Sequence, residues 1–211
     1  LLMLGFSLGI FFLYGRKQNK KEYALLHVMA RLTNRVLRSS GLESELREII
    51  HERDAVDLDW FDALILESPV IDWTCESGRE AFFQRVSHDF SPVLALGEDA
   101  IAHLLEEREA ESSTALSDFV AIPHIVIEGE GVFRLLVARC LEGLQFSPEA
   151  PRVKAVFMLV GTKDTRMHHL RALAAIAQTV SEPQFEEAWL AARTDAQLKD
   201  LLLLSTRRRH T

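Results

Sequence analysis

Residues Val153–Val160, VKAVFMLV, carry a single charge, Lys154, near the start of an otherwise apolar run. A strand solvated on one face alternates apolar and polar side chains, whereas a strand covered on both faces reads as a continuous apolar run. VKAVFMLV is therefore the central strand of a sheet packed on both sides. Working outward, two more short runs rich in branched residues read as strands, Val120–Ile122 and Val132–Arg139. Helical spacing covers Gly78–His88, Glu98–Arg108, Arg166–Val180, Gln184–Ala192 and Asp195–Leu203, the last opened by Thr194-Asp195 as an N-cap pair. Strands alternating with helices predict an α/β fold, a mixed sheet flanked by helices on both faces.

The whole chain has 211 residues and 48% hydrophobic content, enough for one well-packed domain plus an appendage. A formal net charge of -7, with no stripe of Lys and Arg interleaved with aromatics, argues against a nucleic-acid partner. Cys75 and Cys140 stand far apart and form no CxxC, so a disulfide scaffold is not expected and a reducing compartment fits. There is no HExxH, no Cys/His cluster with zinc spacing, no P-loop and no GxGxxG after a strand. No metal or cofactor is expected.

The other end of the chain has a different character. Residues 1–15, LLMLGFSLGIFFLYG, hold no charge, and RKQNKK, residues 16–21, follows with four positive charges. A spanning helix needs roughly 20 apolar residues, so residues 1–15 read as the end of a transmembrane helix within a longer chain. The positive cluster marks its cytoplasmic side. A signal peptide would carry its charges before the apolar run rather than after it; a buried helix of a soluble protein is the other rival reading. Gly5 and Gly9 form a GxxxG, which is either a helix-packing face or incidental. Residues 16–68 read as a cytoplasmic helical connector, with helical spacing over Glu22–Ser39, Leu42–Ile50 and Asp57–Leu66. Residues 69–205 are the expected folded domain, and residues 206–211, ending RRRHT, a solvated basic tail.

Three segments carry chemistry: LLEEREAESST at Leu104–Thr114, VAIPH at Val120–His124, and MHHLRAL at Met167–Leu173, which opens a helix after an apolar strand. In order and spacing they resemble the enzyme IIA domains of the fructose/mannitol class, histidine phosphocarriers of the bacterial phosphotransferase system. The closing VSEPQFEEAWLAARTDAQLKDLLL resembles that family's last two helices. The resemblance spans about two-thirds of the chain and implies phosphoryl transfer through a histidine. His124 would accept phosphate from the histidine-containing phosphocarrier protein. Imidazole, with a pKa near 6.5, is largely neutral and nucleophilic at cytoplasmic pH. Arg108 would grip phosphoryl oxygens with its planar fork, His169 would donate from near a helix N-terminus, and Thr114 would donate from its hydroxyl.

Each of these residues also has a plainer reading: a structural strand-end histidine, a solvated ion pair at Arg108, a turn cap at Thr114. His168 and His169 point about 100° apart on a helix; the family register selects His169, and a slip of one residue selects His168. The family typically follows its histidine with glycine. Here Ile125 follows, and a β-branched residue gives neither close backbone approach nor unusual dihedrals. Two functions follow: an active phosphocarrier attached to a membrane transporter, or a non-catalytic regulatory or assembly module that keeps the fold. The YGRKQNKKEYALLHVMARLT stretch resembles the tail of a secondary transporter of the amino-acid permease or cation antiporter kind.

Overall fold

The computed structural model describes residues 59–73 and 78–207. The chain divides after Asp57, and every described element belongs to the second unit, Leu58–Thr211. The expected transmembrane segment and most of the connector lie outside the described residues. Among the described residues no helix is long and apolar enough to cross a membrane.

The elements run α1 (Trp60–Glu67), β1 (Val70–Asp72), α2 (Arg79–Leu94), α3 (Glu98–Glu111), β2 (Val120–Ala121), β3 (His124–Ile127), β4 (Phe133–Leu144), β5 (Val153–Thr162), α4 (Arg166–Val180), α5 (Phe185–Ala191) and α6 (Asp195–Leu203). VKAVFMLV lies within β5, which is central. β5 pairs antiparallel with β4 on one side and parallel with β2 and β3 on the other, and β1 adds in parallel to β4. The sheet is mixed.

Alternation along the strands sorts two cores. Val156, Met158 and Val160 of β5, with Leu136 and Ala138 of β4, meet Phe82, Phe83 and Val86 of α2 and Ile101 and Leu105 of α3. Ala155, Phe157 and Leu159, with Leu135 and Val137, meet Ala172 and Ile176 of α4, Trp189 of α5, Leu198 and Leu202 of α6 and Phe61 and Ile65 of α1. Each of these side chains is at most 3% exposed, which stabilises the fold by about 1.5–3 kcal/mol per large apolar side chain. Helices thus cover both faces, as the apolar run predicts.

Several features differ from the sequence reading. The strand expected at Val120–Ile122 covers Val120–Ala121, and Pro123, which has no N–H for the ladder, separates it from the next. Pairing to β5 resumes at His124, so the histidine opens a second strand rather than ending the first. Helix α2 runs on to Leu94 with Pro92 inside it, and α3 runs to Glu111.

The folded unit also begins before Pro69. Helix α1 has a capping box: Asp59 accepts from the Asp62 N–H, and the Asp62 side chain accepts from the Asp59 N–H. The helix buries Phe61 and Ile65 in the second core. The beginning of the expected solvated tail is buried as well. Arg207, 6% exposed, grips Asp59 through Nη1 and Nη2 at 2.7 and 2.8 Å and Asp62 at 2.5 Å. Its guanidinium carbon lies 4.7 Å from the Phe61 ring centroid. Two carboxylates and a face of Phe61 give Arg207 a reason to leave water, which sequence spacing over 145 residues and more does not announce.

Candidate functional site

The three chemistry-bearing segments meet at β3. Ile125 and Ile127 point into the first core, so by the period of two His124 leaves the strand on the opposite face, the face packed by α4. Beyond β3 the described residues place no further strand. Arg108, near the end of α3, therefore reaches the histidine around an open edge of the sheet.

The His124 ring is held at both nitrogens. Nδ1 lies 2.8 Å from the carbonyl oxygen of Ile122, which can only accept, so the proton sits on Nδ1. Nε2 lies 3.2 Å from Arg108 Nη2, which can only donate, so Nε2 presents its lone pair. Burial lowers the His124 pKa below its ordinary value; the Ile122 carbonyl opposes this, Arg108 adds to it, and Glu109 opposes it. The ring is a neutral imidazole with Nε2 free to act as a nucleophile.

Helix α4 supplies the second ring. The His124 and His169 ring centroids are 5.4 Å apart at an interplanar angle of 71°. His169 is 7% exposed. Burial first, and then His124, bring its pKa down to about 4. Among the described residues its Nε2 is buried without a hydrogen-bond partner, which is costly unless a ligand completes it. His168 faces elsewhere: it stacks on Trp60 at 4.8 Å and lies 6.1 Å from Phe133. The register is thus that of His169. Phe133 supports both histidines, with His169 5.6 Å away. It can lie this close to β5 because its register partner is Gly161, where an added Cβ would come within 2.8 Å of the Phe133 ring.

Thr114 stands elsewhere in the network than its expected role requires. Its hydroxyl and its N–H both donate to Glu109 Oε2, at 2.5 and 2.9 Å. The proton expected to meet phosphate is committed to a carboxylate. Glu109 is a residue the sequence reading passed over; its one signal was its place directly after Arg108. Trp60 and Phe133 were also missed, since a lone aromatic residue carries no chemical signature in sequence.

Ile125 is 3% exposed with its side chain in the core. It follows His124 in ordinary strand pairing, and among the described residues Ala95 alone, apart from glycines, has a positive φ. The backbone here asks for no glycine freedom, and the Ile125 side chain does not stand over the His124 ring.

A lone-pair imidazole nitrogen, a fork of cationic donors and a buried unfilled ring nitrogen suit a phosphoryl group. The comparisons with known proteins agree in kind. Residues 74–204 match the family "Phosphoenolpyruvate-dependent sugar phosphotransferase system, EIIA 2". A PTS system fructose-specific EIIA component from Haloferax volcanii is 27% identical over 105 residues, covering 49% of this chain and 68% of the relative. Among solved structures, the nitrogen regulatory protein IIA-Ntr from Neisseria meningitidis superposes with a TM-score of 0.59 at 22% identity, over 65% of this chain and 94% of that one. The Escherichia coli complex of enzyme IIAMTL and phosphorylated enzyme IIBMTL gives 0.52 at 12% identity, over 63% and 92%. Both structural likenesses are those of the fold. With the family match spanning residues 74–204, the chain belongs to the EIIA 2 family of the phosphoenolpyruvate-dependent sugar phosphotransferase system.

Proposed function

We propose that His124 is the phosphorylated residue of this phosphocarrier domain. The observation that carries the reading is the ring's two-sided clamp, Nδ1–H on the Ile122 carbonyl and Nε2 under Arg108. Nε2 attacks the phosphorus of a phosphohistidine donor in line. The N–P bond to the donor breaks, and its electron pair returns to the donor ring. Arg108 transfers its Nη2 hydrogen bond from Nε2 to the phosphoryl oxygens, and His169 donates to the same group from α4. Nδ1 keeps its proton, and the Ile122 carbonyl stabilises the cationic phosphoimidazolium. Thr114 contributes by holding Glu109. The supplying partner is a histidine-containing phosphocarrier protein. A IIB-type protein is a fitting acceptor, since a phosphorylated IIB stands beside IIA in the Escherichia coli complex.

The domain serves or regulates a membrane transporter at whose C-terminal end it is attached, anchored through residues 1–15 at the inner membrane and held on the cytoplasmic side. What supports this part is the uncharged run followed by four positive charges. Fractionation of cells expressing the chain tests it: recovery wholly in the soluble fraction without detergent ends the membrane reading.

The test of the chemistry is incubation with phosphoenolpyruvate, enzyme I and the phosphocarrier protein, followed by intact mass. One acid-labile, base-stable phosphate is expected on the parent and none on His124→Ala. No labelling of the parent, under conditions that label a conventional enzyme IIA, would leave the non-catalytic regulatory module.

A further inference from the structure

Glu109 is 6% exposed, and burying a carboxylate without a close cation is costly. Its nearest cationic atom is Arg79 Nη1 at 4.0 Å. That atom already donates to the Phe146 carbonyl at 3.1 Å, while Arg79 Nη2 pairs with Glu106 at 2.8 Å. Glu109 Oε1 has no hydrogen-bond partner among the described residues. The ion pair with Arg79 is therefore a long one, and the short contacts of the carboxylate lie elsewhere. Oε2 takes both protons that Thr114 offers, from N at 2.9 Å and Oγ1 at 2.5 Å. From Thr114 the connection continues through the backbone. The Ile122 N–H donates to the Thr114 carbonyl at 2.9 Å, and the Ile122 carbonyl accepts the His124 Nδ1 proton at 2.8 Å. The same loop is held from its other end, where Arg108 Nη1 donates to the Ser112 carbonyl at 3.0 Å while Nη2 meets His124.

Building on the reading of His124 as the phosphoryl acceptor, we propose that Glu109 is a positioning residue for that ring. Through Thr114 and the Ile122 carbonyl its carboxylate fixes the His124 proton on Nδ1 and so leaves Nε2 as the accepting nitrogen. Which imidazole nitrogen carries the proton is decided by the hydrogen bond available to it. A carbonyl that drifts from Nδ1 frees the proton to move to Nε2, where it blocks attack and collides with the Arg108 donor. Charged and titratable groups face the ring from both packed helices: Arg108 and Glu109 from α3, His169 from α4.

The test reads the tautomer directly, by nitrogen NMR of the His124 ring in the whole chain, beside the rate of phosphorylation by the phosphocarrier system. The parent is expected to show Nδ1–H alone. Glu109→Gln removes the charge at constant shape, and Thr114→Val removes the hydroxyl at constant shape. Each is expected to admit the Nε2–H form and to slow phosphorylation on the order of ten- to a hundredfold, as loss of groups that orient a ligand histidine does. Thr114→Ser, which keeps the hydroxyl, is expected to keep the parent tautomer. Folded Glu109→Gln and Thr114→Val proteins whose ring stays wholly Nδ1–H would overturn the proposal. Should neither variant fold, a parent ring protonated on Nε2 would overturn it. A parent that takes no phosphate, yet whose tautomer shifts in Glu109→Gln, would uphold the positioning role and defeat the phosphocarrier reading instead.

Discussion

Arg108 Nη2 lies 3.2 Å from His124 Nε2, a donor aimed at the atom expected to accept phosphorus. A guanidinium keeps its protons at any physiological pH, so the contact requires a lone pair on Nε2. It also sets a cation beside the place where phosphoryl oxygens arrive. Arg108→Ala is expected to leave His124 intact but to slow phosphorylation by about 10²- to 10³-fold, the usual worth of one preorganised electrostatic donor. Arg108→Lys recovers only part of this, because an ammonium lacks the fork that can serve Ser112 and the ring together. Rapid-quench measurement of phosphate uptake decides it; an unchanged rate in Arg108→Ala would remove Arg108 from the site.

His169 makes stability depend on pH. Its folded pKa is about 4 against an ordinary 6.5, through burial and then through His124. Between those values the unfolded chain binds a proton the folded one refuses, so protons favour unfolding. The contribution is fully present above pH 6.5 and is lost as pH falls towards 4, by at most about 3 kcal/mol. The lowered pKa of His124 acts in the same direction. Urea denaturation at several pH values is expected to show this slope, and His169→Gln to flatten it. Parallel curves for the two proteins would refute the assignment.

The Arg207 clasp is expected to matter more than its place near the chain's end implies. Arg207→Ala leaves two carboxylates buried at α1, and breaking one side of a buried pair costs about 3–5 kcal/mol. A fragment starting at Pro69 loses Phe61 and Ile65 from the core and is expected to melt earlier than one starting at Leu58. Thermal unfolding of the two fragments settles the boundary, and equal melting temperatures would restore it to Pro69.

Ile125→Gly offers a direct comparison of steric and packing roles. The side chain lies in the core, so its loss is expected to cost about 3–5 kcal/mol through lost burial, the cavity left behind and strand entropy. No gain in phosphorylation rate is expected. Faster labelling in the glycine variant would show that Ile125 obstructs the donor after all.

Much of the fold was legible because its signals are local. VKAVFMLV has the composition of a doubly covered strand and is one. The Arg166–Val180 and Asp195–Leu203 helices stand at the predicted bounds, with Thr194 capping Gln197 N as its side chain allows. The split between β2 and β3 was not read from the sequence, and the strand His124–Ile127 was missed with it. The β1 strand was not legible: three residues, Val70–Asp72, form a strand only because β4 lies beside them.

The sequence by itself determined the alternation of elements, the identity of the chemically capable side chains and the order in which they occur. All of these depend on residue type and on neighbours within a few positions. Only the tertiary structure decided which nitrogen of His124 carries the proton, because that rests on a carbonyl and a guanidinium brought to opposite sides of one ring. It alone chose His169 over His168, since helix α4 turns one towards β3 and the other towards Trp60. It alone gave the Thr114 hydroxyl to Glu109, and Arg207 to Asp59 and Asp62. Hydrogen-bond partners are fixed by proximity in space and by the cost of leaving a buried polar group unpaired, and neither is a property of spacing along the chain.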